Sequence, residues 1–201
     1  MHCELYIIML RFYYFYRMMK KLIIILLFAL PIFCNAQGTF ELSGYGRIGM
    51  DIRSNTTYNT GLAFEWRPTN GNLGLNYSLR FGEDFDNNFT FQCPLGLITG
   101  LLAAAWLDDI DSPGLGFLLA FIPEGLSYNV YMTDGVFLEP YINPLLLNFY
   151  SRHVGMSIEL GTKMKAYIKN KFFGALDLAV QSPYDAANIN TYAGISLGFV
   201  F

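Results

Sequence analysis

The chain has 201 residues, 53% of them hydrophobic, with 13 Lys+Arg against 16 Asp+Glu and a net charge of −3. That acidic balance, with no clustered basic stripe, excludes nucleic acid as a partner. The length suits one domain.

Residues 1–17 precede what reads as a complete secretory leader. Met18-Met19-Lys20-Lys21 leads into the apolar run Leu22 to Phe33 and then Cys34-Asn35-Ala36-Gln37. Two lysines, a short apolar stretch and a small residue before a polar one predict a signal peptide over 18–36, cleaved after Ala36. The run is too short for a comfortable membrane-spanning helix, which disfavours the alternative of an uncleaved anchor. Residues 1–17 then read as an extension from a start codon assigned too early; a second targeting element is the alternative. Phe33 stands where a lipoprotein signal wants a small residue, so lipidation at Cys34 is not expected.

Cleavage would leave residues 37–201, with 9 Lys+Arg against 15 Asp+Glu. Only Cys93 and His153 would remain of their kinds, so neither an intrachain disulfide nor a Cys/His metal cluster can form. No cofactor and no metal are expected. Outside the leader no stretch reaches the ~18–20 uninterrupted apolar residues of a spanning helix. The apolar content lies instead in alternating segments.

In the first segment, Phe40, Leu42, Ile48, Met50 and Ile52 share one face, and Glu41, Ser43, Tyr45, Arg47, Asp51 and Arg53 the other. That is the period of a strand; a helix would mix the two sets. The pattern recurs with Leu62, Phe64 and Trp66 against Glu65 and Arg67, and with Leu73 to Phe81 against Asn76, Ser78 and Arg80.

A continuously apolar stretch follows, Leu95 to Leu107. After an acidic turn and Pro113 comes a second, Leu115 to Ile122. Ala- and Leu-rich composition bracketed by Pro94 and Pro123 predicts two short helices in an insertion over 95–122, between strands three and four. Leu97, Leu101, Leu102, Trp106, Phe117 and Leu118 would form its apolar surface. That surface could pack on the barrel rim, meet the membrane boundary or bind another protein.

Four more alternating segments run through Leu126–Met132, Val136–Asn143, Val154–Lys165 and Leu176–Val180. The last, Thr191 to Phe201, puts Ile195, Leu197, Phe199 and Phe201 on one side. That makes eight strands. Connections at Thr69–Asn72, Thr133–Gly135 and Lys169–Lys171 are tight, the first two with the Asn-Gly and Asp-Gly pairs that hairpin turns favour. Longer ones at 54–60, 84–124, 149–153 and 181–190 alternate with them.

A final strand of this kind, with Tyr192, Phe199 and a terminal Phe201, resembles the sorting and assembly signal of Gram-negative outer-membrane β-barrel proteins. Leader, eight alternating segments and the order of short and long connections fit the same group. The resemblance is architectural and covers 37–201. It implies an all-β fold: an eight-stranded antiparallel up-and-down transmembrane β-barrel with a short helical insertion, and with both termini in the periplasm. It also implies location in the bacterial outer membrane, contact with its lipid, and recognition of the C-terminal strand by the barrel-assembly machinery. A soluble β-sandwich or lipocalin-like cup shares the period-2 pattern with its faces reversed. Aromatic residues near strand ends, such as Phe40, Trp66, Phe81, Tyr128 and Phe199, favour the membrane arrangement.

In such a barrel the lumen is just wide enough for side chains to fill. The inward set would hold Glu41, Arg47, Asp51, Arg53, Glu65, Arg67, Arg80, Glu139, Glu159, Lys163, Lys165 and Asp177, neutralising one another. A selective pore is the competing reading, opposed by the length of these side chains. The predicted role is non-enzymatic: structural, or as an interaction subunit of a larger outer-membrane assembly, with a protein partner at 95–122. The alternative is a lipid-modifying enzyme of the lipid A deacylase or acyltransferase type. It would use His153 with Ser151 or Ser157 near an external loop; no third member of a triad is implied by spacing.

Overall fold

The computed structural model describes residues 38–69, 71–83, 89–106, 119–150, 154–169, 171–184 and 189–201. Ten strands are assigned: β1 Gly38–Asp51, β2 Thr56–Pro68, β3 Leu73–Glu83, β4 Phe89–Pro94, β5 Gly125–Tyr128, β6 Val130–Thr133, β7 Val136–Phe149, β8 Val154–Ile168, β9 Phe172–Pro183 and β10 Asn190–Val200. Helix α1 (Leu95–Trp106) follows β4. The barrel unit comprises Gln37–Gly96 and Ile122–Phe201, while Leu97–Phe121 falls in a separate compact unit.

All strand pairings are antiparallel, and they close into a ring. β1 pairs with β2 and with β10; β2 pairs with β3; and β7 to β10 pair in succession. Between β3 and β7 the wall is completed by β4 and β5 placed end to end, with β6 continuing along β7. The ring therefore has eight wall positions, as the alternation predicts. Closure joins the first and last strands of the wall, as spanning a bilayer with strands requires. β10 seals it through a register running from Glu41↔Val200 to Asp51↔Asn190. Phe201 N–H donates to the Phe40 carbonyl at 2.8 Å just beyond β10.

The sheet is inverted relative to a soluble protein. Glu139 and Glu159 are fully buried, whereas Ile48 is 69% exposed and Leu197 73%. Along the long strands most buried positions carry charged, polar or small residues, with Tyr141, Leu146, Leu147, Phe173 and Tyr192 as large exceptions, and most exposed ones carry aliphatic or aromatic side chains. An apolar exterior this extensive far exceeds the few hundred Å² that monomeric soluble proteins expose, and it requires lipid as its solvent.

Aromatic rings gather at both ends of the wall. Phe40 lies 6.2 Å from Phe64 and 6.3 Å from Phe201, and Phe172 lies 5.0 Å from Phe199, at the end of the tight turns. Phe81, Phe91 and Phe149 follow one another at the other end, with ring centroids 5.1 Å and 5.8 Å apart. Two such belts match the interfacial girdles of membrane barrels.

The wall has one irregularity. β4 pairs with Arg80–Glu83 of β3, and β5 with Leu73–Asn76, so the ladder on that side changes partner between Asn76 and Arg80. On β7 the matching gap covers residues 143–145, where Pro144 and Leu145 also bulge against β8. The insertion thus leaves the wall after Pro94 and rejoins it at Gly125, inside the fourth wall position. The sequence reading placed it just ahead of that strand; the structure adds the section Phe89–Pro94 before it. Gly125 suits the re-entry because any Cβ there would collide with the Ile142 carbonyl oxygen. Within the insertion, Gly100 sits against Ala120 so closely that a Cβ would strike the Ala120 backbone. Gly100 and Ala120 therefore meet at backbone distance.

Candidate functional site

The inward alternation of eight strands brings their charged residues into two layers across the lumen. In the first, the Lys165 ammonium on β8 donates to Glu41 Oε2 on β1 and Glu65 Oε2 on β2, both at 2.7 Å, and also contacts Glu139 on β7. Arg67 reaches Glu139 at 2.9 Å and Glu41 at 3.6 Å, and pairs with Glu65. Lys163 lies 3.3 Å from Glu139. The Tyr167 hydroxyl donates to Glu41 at 2.6 Å and Ser127 to Glu65 at 2.8 Å. Three carboxylates here converge within 4.8 Å of one another, a donor set that would suit a hard cation. Lys165 supplies that cation from the chain itself.

The second layer joins Arg47 on β1, Arg80 on β3, Glu159 on β8 and Asp177 on β9. Glu159 accepts from Arg47 at 3.0 Å and from Arg80 Nη2 at 3.0 Å. Arg47 also pairs with Asp177 and donates to the Tyr141 hydroxyl at 2.9 Å, which donates on to Asp177 at 3.0 Å. Beyond it lies an uncharged group: Ser157 Oγ, fully buried, accepts from Asn148 Nδ2 at 3.0 Å and Gln181 Nε2 at 2.7 Å. Burying so many charges is tolerable only because each has partners, and such networks specify one arrangement more than they add stability.

Glu124 belongs to the second layer and is absent from the sequence prediction. It sits in the gap of the fourth wall position. Its backbone N–H donates to the Asn76 carbonyl at 2.9 Å and its carbonyl accepts from Leu145 N–H at 3.1 Å, so one residue bridges both flanking strands. Its carboxylate accepts from Ser78 N–H at 3.0 Å, from Ser78 Oγ at 2.8 Å, from Asn143 at 3.2 Å and from Arg80 at 3.4 Å. A side-chain oxygen thereby replaces the strand carbonyl that Ser78 N–H would otherwise lack. Strict alternation back from the outward Leu126 would put Glu124 outside; the strand break turns it inward.

Ten of the predicted lumen charges lie in these layers: Glu41, Arg47, Glu65, Arg67, Arg80, Glu139, Glu159, Lys163, Lys165 and Asp177. Asp51 and Arg53 do not. β1 ends at Asp51, whose Oδ1 accepts from the Arg53 and Asn55 N–H groups at 2.8 Å each, holding the β1–β2 turn, and Arg53 is exposed there. Arg53 lies two residues past the strand's end, where alternation no longer sets which way a side chain points.

Of the residues named for the C-terminal signal, Phe199 and Phe201 are on the apolar exterior, while Tyr192 is buried on the lumen side, as its even position in β10 requires. In the insertion, Leu97 and Leu101 are half-buried and Leu102 is 55% exposed. Trp106 ends α1; its side chain, Phe117 and Leu118 lie outside the described residues, as do Ser151 and His153.

Between the charge layers a cavity of about 30 Å³ remains, lined by Ser43, Tyr45, Arg80 and Tyr141 among others. At about 10–15 Å³ per site, that is room for roughly two waters. The arrangement can hold the wall closed, and that cavity presents no space for an organic substrate.

No protein-family model matches the chain, and no curated protein matches it in sequence. Solved structures match it in fold. Neisserial surface protein A is similar at 6% identity with a TM-score of 0.50, over 81% of this chain and 96% of that one. The N-terminal β-barrel domain of OprF from Pseudomonas aeruginosa is similar at 17% identity with a TM-score of 0.48, over 82% of this chain and all of that domain. At such identities the likeness is one of fold. Ring closure and inverted burial, with the likeness in fold to Neisserial surface protein A, make the chain an eight-stranded barrel of the outer-membrane type.

Proposed function

We propose that this chain is a non-enzymatic barrel of the bacterial outer membrane, exported by a cleaved leader, with a structural role or one as an interaction subunit of a larger envelope assembly. The observation that carries the reading is the inverted burial: a lumen crossed by two ion-paired layers inside an apolar exterior. A lumen filled in this way supports a rigid lipid-embedded scaffold and opposes a conducting pore. β10, with Phe199 and Phe201 facing outward, is the segment offered to the barrel-assembly machinery.

Ser157 opposes the enzymatic alternative. Its hydroxyl is buried in the lumen between two amides, with no base among the described residues that contact it. A nucleophile acting on lipid needs access to lipid and a base within reach. The test compares lipid A from cells with and without the gene, alongside copurification from detergent extracts. Unchanged lipid A acylation is expected; altered acylation would replace the structural reading with a lipid-modifying enzyme.

A further inference from the structure

The two layers of the lumen differ in charge balance. In the first, Glu41, Glu65 and Glu139 meet Arg67, Lys163 and Lys165, three against three. In the second, among the described residues, Glu124, Glu159 and Asp177 share only Arg47 and Arg80. All five are buried, with Glu124 1% and Glu159 0% exposed. An uncompensated charge is costly in such a place, and a carboxyl held there takes up a proton instead.

The pairing singles out Glu124. Glu159 accepts from both terminal nitrogens of Arg80 and from one of Arg47, whose other terminal nitrogen pairs with Asp177. Arg80 reaches Glu124 at 3.4 Å, the longest ion pair of the layer. The remaining donors to Glu124, Ser78 N–H, Ser78 Oγ and Asn143 Nδ2, are neutral. Facing it from other elements are Tyr45 and Arg47 on β1, Cys93 on β4, Tyr141 on β7, Glu159 on β8 and Asp177 on β9. Arg47 is the one cation among these, and Glu159 and Asp177 already hold it.

The same partners serve a neutral acid. Ser78 Oγ lies 2.8 Å from Glu124 Oε2, and a hydroxyl that donates to a carboxylate accepts equally well from a carboxylic acid. Oε1 remains the acceptor for Asn143 and Arg80.

We infer that Glu124 is a proton-binding site: in the folded chain at neutral pH it carries a proton on Oε2, donated to Ser78 Oγ, which neutralises the second layer. The site is also a pH-sensitive joint, because the Glu124 backbone ties β3 to β7. Losing the proton at alkaline pH leaves three carboxylates on two guanidinium groups at that joint. The inference rests on lumen geometry and is independent of the location and role proposed above.

Infrared spectroscopy reads the proton on the full chain, folded in dodecyl maltoside micelles at neutral pH and checked by heat-modifiable migration. A protonated carboxyl has a carbonyl stretch separate from the carboxylate and amide bands. The expected result is such a band in the wild type, lowered by carbon-13 in the glutamate side-chain carboxyl and lost in Glu124→Gln. Should Glu124→Gln fail to fold, Ser78→Ala removes the hydroxyl acceptor while keeping the backbone N–H, and should raise the frequency of the band. Absence of the band in the wild type, a band insensitive to the glutamate label, one that survives Glu124→Gln, or one unmoved by Ser78→Ala overturns the site.

Proton linkage supplies a second reading. A glutamate in the unfolded chain ionises near pH ~4.3, so unfolding releases the proton and stability falls as pH rises. Between weakly acidic and neutral pH the urea-unfolding constant of the wild type should rise by about tenfold per pH unit relative to that of Glu124→Gln. Parallel pH profiles for the two proteins, or a wild type that gains on the variant as pH rises, contradict a protonated Glu124.

Discussion

At the scale of single residues, Lys165 is the hub of the lumen. Its ammonium stands among three carboxylates otherwise balanced only by Arg67 and Lys163. Lys165→Met leaves one carboxylate in excess in a buried site, and breaking a buried charge pair costs about 3–5 kcal/mol. The temperature at which the folded band converts to the unfolded one in detergent gels should fall. Removing one carboxylate as well, in the double variant Lys165→Met with Glu139→Gln, restores the balance and should recover part of the loss. A double variant no better than the single one would show that Lys165 matters through packing and not through charge. Most of this cluster is legible in the sequence because alternation fixes which residues point inward. Its failures come where the chain stops being a regular strand. Asp51 and Arg53 lie at and past the end of β1, and Glu124 beside a break, so parity counts there lose their reference.

At the scale of elements, the fourth wall position departs furthest from expectation. A six-residue section, β4, followed directly by an apolar helix offers no turn signal between them, so alternation alone merges Phe89–Pro94 into a loop. Only pairing with β3 and β7 identifies it as wall. Glu124 is what makes the interruption tolerable, since its carboxylate serves Ser78 N–H while its backbone ties both neighbours. Glu124→Ala orphans that amide and leaves Arg80 with Glu159 as its one carboxylate partner beside the Ser78 hydroxyl; an unsatisfied buried donor costs about 1–3 kcal/mol before any charge effect. Glu124→Gln keeps an acceptor oxygen and should be clearly less destabilising than Glu124→Ala when both are compared by unfolding in urea. Equal losses would mean that the charge on Glu124, not the acceptor for Ser78, closes the gap. The hairpin turns, by contrast, are readable from composition. Asp134-Gly135 puts glycine at φ 74°, the left-handed region that residue tolerates best.

At the scale of the whole molecule, ring closure and the apolar exterior depend on one another. Backbone groups in hydrocarbon must be satisfied internally, so every seam matters. The β1–β10 seam ends with Phe201 bonded to the Phe40 backbone and packed near its ring. Phe201→Asp sets a charge on the exterior of that seam, at the level of an aromatic belt, and should reduce the amount of folded protein in membranes. Normal accumulation of the variant would detach Phe201 from assembly. Alternation establishes that two faces exist without saying which is inside; the buried charges of the structure decide it.

Cell fractionation combined with gel migration tests the inverted barrel most directly. Protein recovered with outer membranes, extracted only by detergent and shifting in migration on boiling, is the predicted result. Recovery as a folded, detergent-free protein in the soluble periplasm would contradict it, because an exterior bearing Ile48, Leu178 and Leu197 cannot remain dissolved in water as a monomer.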